Sequence, residues 1–215
     1  MTGHSNKKHF KKKIIITLSV AVGLLLLMYA LTLILPLISE KLKGNPEEEI
    51  AKFNFYEPDF EENIFDDPEY LLLIENGIIQ YDNASNSIVT ITDENVSDHG
   101  EPVELLANFV DSIIDGDHER YNGYFSKEYL KENSPKDKFT MQKIYNCLIT
   151  FYRQEDAEDK NGNYTKYIYK LKYQIYENNG TFRRDIGEDY KTQYIVITDR
   201  EEKLLIDAIS TSNYK

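Results

Sequence analysis

Hydrophobic side chains follow three rhythms along this chain. The first is an unbroken apolar run from Ile14 to Ile38, 25 residues without a charge. A helix of that length spans roughly 37 Å at about 1.5 Å per residue, against a hydrocarbon layer of about 30 Å. The second rhythm is helical: Val103, Leu106, Val110, Ile113 and Ile114 recur on one face. Pro102 suits a first turn, Ser97 or Asp98 can cap it, and Gly116 ends it. Asp117 or His118 opens a second short helix through Tyr124, and Ser126 caps a third that Ser134 and Pro135 stop. The third rhythm alternates. Tyr167, Tyr169, Leu171, Tyr173 and Ile175 face one way, and Lys166, Lys170, Lys172 and Gln174 the other. That period predicts a strand with one buried and one wet face. Residues 141–153, 190–198 and 203–210 predict three more strands, with turns at Asn161-Gly162, Asn179-Gly180 and 199–202. Four consecutive strands with short connections make an antiparallel meander, and helices segregated ahead of it make an α+β fold.

Residues 70–96 read as a β-hairpin between Ile78–Tyr81 and Ile88–Ile91, joined by the turn residues 82–87. Asn76-Gly77 offers an alternative turn, which would pair Leu71–Ile74 with Ile78–Tyr81. Residues 39–69 are an acidic linker; from 44 to 69 it holds ten acids, one lysine and three prolines. Such a chain self-repels and reads as an extended tether. Its aromatics Phe53, Phe55, Tyr56, Phe60 and Phe65 offer the competing reading of a segment that docks on its own domain or a partner.

The run 14–38 reads as an uncleaved transmembrane helix. A secretory signal has an apolar region of about 7–15 residues and small residues at its cleavage site, and Ile34-Leu35-Pro36-Leu37-Ile38-Ser39 lacks that pattern. A long cleaved signal is the alternative. Five lysines precede the run, whereas only Lys41 and Lys43 follow closely, so the basic stub 1–13 is expected in the cytoplasm and the bulk outside. The net charge of −12 becomes −17 for the rest of the chain once the five lysines of residues 1–13 are set aside. An acidic outer part argues against nucleic acid and suits an extracytoplasmic surface. Cys147 is the single cysteine, so no intrachain disulfide forms. Disulfide-free extracytoplasmic domains are ordinary in a bacterial envelope.

The stretch "IIDGDHERYNGYFSKEYL" (113–130), a helix ending in Gly116-Asp117 followed by two short helices, and the terminal "KLLIDAIS" (203–210) resemble the nuclear-transport-factor-two-like superfamily. The likeness covers about residues 97–215 and implies a cone, with helices packed on a curved antiparallel sheet of about four strands. Enzymes of that superfamily line the cone with acids, tyrosines and histidines. The architecture of stub, single helix and outer domain also resembles the bitopic scaffold subunit of type IV secretion and conjugation systems.

The resemblance directs attention to His118, to Asp207 beside Leu205 and Ile209, and to Tyr167, Tyr169 and Tyr173 as a ligand-lining stripe. Each has a plainer reading as a cap, a solvent-facing acid or core. Glu155, Asp156, Glu158 and Asp159 fail the calcium-loop spacing and read as a solvated hairpin loop. No GxSxG, HExxH, CxxC or P-loop motif occurs, and no metal or cofactor is expected. The loop "NNGTFRRDIGEDYK" (178–191), with Arg183, Arg184 and Asp185, is the best candidate for partner or anionic-ligand contact. The expectation is a membrane-anchored binding or scaffold domain that meets the bilayer and other envelope proteins and can oligomerise. The alternative is a small-ligand or enzyme-type cone.

Overall fold

The computed structural model describes residues 57–83, 87–160, 162–184, 192–200 and 203–212, together with Met28. The chain divides into two compact units, 1–52 and 53–215, and the elements that follow belong to the second. Apart from Met28, the apolar run 14–38 lies outside the described residues, as do the basic stub 1–13, residues 39–56 and Asp185. Among the described residues no helix is long and apolar enough to cross a membrane.

The fold is α+β. A short 3-10 turn (Ile64–Asp66) leads into α1 (Pro68–Leu73) and the hairpin β1 (Ile79–Asp82) and β2 (Ile88–Thr90). After a second 3-10 turn (Val96–His99) come α2 (Glu101–Ile114), α3 (His118–Gly123) and α4 (Lys127–Glu132). The long strands β3 (Lys143–Asp159) and β4 (Gly162–Tyr176) follow, then β5 (Gln193–Thr198) and β6 (Leu205–Ser210). All six strands form one sheet in the order β2-β1-β3-β4-β5-β6.

The expected antiparallel sheet of about four strands is therefore corrected to a mixed sheet of six. The meander is present, but the hairpin joins its edge: β1 lies parallel to β3, with Ile79 opposite Cys147 and Tyr81 opposite Ile149. A parallel neighbour needs a long crossover, and the three helices of residues 101–132 supply it. Leu71–Leu73 are helical, so the Asn76-Gly77 pairing is not used. The first helix starts differently as well. Ser97 and Asp98 sit in the 3-10 turn, and Gly100, at φ +89°, precedes α2 without a side-chain cap. Asp117 and Ser126 do cap, accepting from the main-chain N–H of Arg120 (2.9 Å) and Tyr129 (3.0 Å).

One apolar core lies between the helices and one sheet face. Val103, Leu106, Val110, Ile113 and Ile114 of α2 are all buried in it. Facing them are Tyr169, Leu171, Tyr173 and Ile175 of β4, and Ile144, Cys147 and Ile149 of β3. The face expected to be wet is not open water. Ile168 and Val196 are buried there, and Lys170 lies over the rings of Tyr152 (4.6 Å) and Tyr194 (5.7 Å). Register breaks at Asn146-Cys147, at Tyr152 and at Asp207 act as β-bulges, each bending its strand.

Gly116 closes α2 at φ +67° against the main chain of the next segment. A Cβ there would stand 2.8 Å from the Met141 nitrogen and 2.9 Å from the Thr140 carbonyl carbon. Gly116→Ala is expected to cost about 2–4 kcal/mol, from the left-handed backbone plus an overlap that main-chain atoms cannot relieve. Gly123→Ala in α3 meets nothing within 4 Å and should be neutral or slightly stabilising. Thermal unfolding of the two variants checks this; equal melting temperatures would refute the account.

Candidate functional site

Among the described residues, a cluster of three carboxylates around one lysine sits where the linker meets the sheet. Lys143 opens β3, and its side chain is only 9 % exposed. Its Nζ reaches Asp67 Oδ2 at 2.7 Å, Glu177 Oε2 at 2.8 Å and Glu62 Oε1 at 3.2 Å. Local sequence sets this up. Asp67 caps α1 with Oδ1, accepting from the Glu69 and Tyr70 N–H groups, and Pro68 takes the first helical position. Oδ2 is left for the lysine. Glu177 is held at φ +47°, in the left-handed region, which aims its carboxylate inward. The Tyr176 hydroxyl donates to Glu69 Oε2 at 2.7 Å, and the Tyr70 hydroxyl to the Ile144 carbonyl at 2.8 Å. A cavity of about 160 Å³ adjoins the cluster, lined among others by Gln142, Lys143, Tyr176, Glu177 and Asn179.

Burial pulls the Lys143 pKa down, but the hydrogen bonds to Asp67, Glu177 and Glu62 outweigh it and leave the ammonium above its ordinary value. The Lys143 hydrogen bond in turn holds the Asp67 carboxyl below its usual range. A lysine nucleophile or Schiff-base lysine needs the opposite shift. Lys143 is thus a latch rather than a reagent. It corrects the tether reading of residues 57–69: Ile64 is 1 % exposed in the core, and Lys138 lies 4.9 Å over the Phe60 ring.

Of the arginine loop, residues 185–191 lie outside the described residues. Its first half is tightly built. The Asn178 amide donates to the Arg183 carbonyl at 2.8 Å, and Thr140, Gln142, Asn179 and Thr181 form a polar knot. Phe182 plugs into the core, 4.8 Å from Phe139 and 5.5 Å from Tyr121. Arg183 is half-buried, and its charge moderates the rise that burial gives the phenol pKa values of Tyr121 and Tyr129. Tyr173 acts on the same Tyr121 phenol. Arg183 and Tyr173 thus act on one phenol, while Arg184 is exposed. Tyr169 and Tyr173 are 4 % and 3 % exposed and belong to the core, with Tyr167 packed against it.

Asp207 is neither a pocket base nor a free surface acid. It is the extra residue of the β6 bulge, since Val196 opposes Ala208 and Ile197 opposes Ile206. The bulge sends its carboxylate sideways to accept from Ser126 Oγ at 2.7 Å and to pair with Arg200 at 3.1 Å. Main-chain bonds from Ser126 N to the Ile206 carbonyl and from Ile206 N to the Tyr124 carbonyl complete a tie between α4 and the sheet edge. His118 is half-buried at the start of α3, its main-chain N–H bonded to the Gly116 carbonyl. The acids 155–159 belong to β3 rather than to a hairpin loop: Glu155 and Asp159 share one face and Asp156 and Glu158 the other, so they cannot converge. Among the described residues no group of three or more His, Cys, Asp or Glu is placed to hold a metal ion.

Sequence reasoning missed Lys143 and its partners Glu62, Asp67 and Glu177, which lie 34 to 81 positions from the lysine along the chain. It also missed Asp111 on α2. Burial, reinforced by the like charges of Asp115 and Asp93, pushes this carboxyl up to about 6, with Arg120 opposing.

Two outcomes follow. Lys143→Met strands three carboxylates and is expected to cost about 1–3 kcal/mol, less than a fully buried pair because its partners are partly exposed. Limited proteolysis should then cut within 57–75 before the rest. The latch is full above the unfolded-state Asp pKa of about 3.9 and weakens as pH falls through the lowered Asp67 value. Asp111 runs the other way. Its raised pKa means that the folded state holds the proton more tightly, so stability falls as pH rises from about 4 through 6. Asp111→Asn should add about 1–2 kcal/mol at pH 7 and little near pH 4, read by denaturant melts across that range.

Compared with known proteins, the chain matches no family model, no curated protein and no solved structure.

Proposed function

We propose that the chain is a membrane-anchored binding module of a bacterial cell envelope, a scaffold that holds partner proteins outside the membrane and belongs to a secretion or conjugation assembly. The single observation that carries this reading is the filled interior of the sheet. Where a cone-type enzyme or carrier keeps its ligand, Tyr121 stands 5.0 Å from Phe109, 5.2 Å from Phe125, 5.8 Å from Phe139 and 5.5 Å from Phe182. Phe125 stacks on Tyr129 at 4.4 Å. Edge-to-face, tilted and stacked rings at these spacings form a packed core. Two of the three groups that an enzyme reading would use are engaged elsewhere: Tyr173 in the core and Asp207 by Ser126 and Arg200. A filled interior with partner-facing surfaces suits binding better than turnover. The apolar run 14–38 supports the anchor and the five lysines before it support the orientation.

The test uses the full chain with a C-terminal tag in intact bacterial cells. The chain should remain with membranes after alkaline washing, and protease added outside should remove the tag. Cross-linking before detergent extraction should recover a small, reproducible set of envelope proteins. A tag shielded from outside protease overturns the topology; a chain recovered alone overturns the scaffold reading.

A further inference from the structure

Residues 57–77 have two unlike faces. The inward face carries Ile64, Tyr70 and the acids that Lys143 binds. The outward face carries an apolar ledge. Leu71, Leu72 and Leu73 are 43 %, 71 % and 43 % exposed, and Phe65, 43 % exposed, lies beside α1 with its ring 6.5 Å from Tyr70. Four of the large apolar side chains that the described surface exposes thus fall within nine residues. Scattered exposed leucines are ordinary, but a run of them on one short element marks a contact surface.

Charge selects the occupant. Residues 57–75 contain eight acids and no base. Lys143 neutralises part of the inward set, while Glu61, Asp66, Glu69 and Glu75 remain exposed around the ledge. A second copy would bring the same acids face to face, and an anionic bilayer would repel them. Besides Lys143, a second cation from elsewhere in the fold already meets this segment: Lys138 sits 4.9 Å over the Phe60 ring. The geometry points to a basic amphipathic segment of a partner protein, laying an apolar stripe on Leu71–Leu73 with lysines or arginines reaching the acidic rim. This deepens the binding-module reading and rests on it.

The full chain, reconstituted in neutral phosphatidylcholine nanodiscs, is titrated against two synthetic 18-residue amphipathic peptides. Both carry a leucine face; the opposite face is lysine in one and glutamate in the other. The lysine peptide should bind above the level of empty nanodiscs. Its affinity should fall at least tenfold between 50 and 500 mM salt, as screening of a rim of charges requires. Leu72→Ser should weaken it about tenfold with the melting temperature unchanged, because that side chain is already mostly in water. The glutamate peptide should not bind. Equal binding by Leu72→Ser, binding of both peptides alike, dimerisation of the full chain that Leu72→Ser abolishes, or Leu72-dependent binding to anionic vesicles would each overturn the proposal. In cells, co-purified envelope proteins whose recovery is indifferent to Leu72→Ser would sink the ledge and leave the scaffold reading standing. Recovery of no partner at all would sink the scaffold reading itself.

Discussion

Everything in the folded unit depends on covering one face of β4. Its alternation places Tyr169, Leu171, Tyr173 and Ile175 on the same side, where they would present a wide aromatic and aliphatic surface to water. Burying that much apolar area is the dominant favourable contribution to the fold. The helical face of α2 covers one part. Tyr121, Phe125, Phe139 and Phe182, from α3, two connecting segments and the 178–184 turn, cover the rest. The polar knot of Thr140, Gln142, Asn179 and Thr181 follows from this demand. It satisfies the buried hydrogen-bonding groups of the two segments that must approach each other to deliver Phe139 and Phe182.

A flat sheet could not wrap that core, and the bulges supply the bend. Their consequences differ with what the extra residue carries. At Asn146-Cys147 the bulge turns an asparagine toward Gln174, where Asn146 Nδ2 donates a hydrogen bond of 2.9 Å to Gln174 Oε1, and keeps Cys147 in the core. At Tyr152 it presents a ring to Tyr194, 5.6 Å away on the outer face. At Asp207 it frees a carboxylate to tie α4 to the sheet edge. One local device shapes the sheet and assigns three side chains to three unrelated tasks.

This explains which features were legible in the sequence. Periodicity sees what repeats: the α2 stripe, the β4 alternation and the caps at Asp117 and Ser126 were all readable, because each depends on residues within four positions. A bulge breaks the period by one and leaves no mark in composition. Ile206 and Ile209 both pack on the core, a spacing of three that strict alternation forbids, so counting from Leu205 put Asp207 on the wrong footing. The acids 155–159 looked like a loop because charge usually marks one, yet a long two-stranded arm tolerates charges on both faces. The parallel docking of β1 on β3 and the Lys143 latch were illegible for a different reason. Both join segments far apart in the chain, and a lysine at the head of a strand says nothing of which carboxylates will come to meet it.

The linker carries the same lesson further. Read as composition, an acidic, proline-punctuated stretch is a tether, since its charges repel and it buries little. Three residues change that outcome for its second half: Ile64 and, just beyond it, Tyr70 supply the apolar anchor, and Lys143 supplies the cation that makes docking an acidic segment tolerable. One lysine cannot neutralise eight acids, however, and one core cannot take every apolar side chain of this segment. The surplus has to face outward. A segment that needed only to be fastened down would have no use for three consecutive exposed leucines inside an acidic border. That surplus, apolar and anionic together, is the part of this fold that its own packing does not account for.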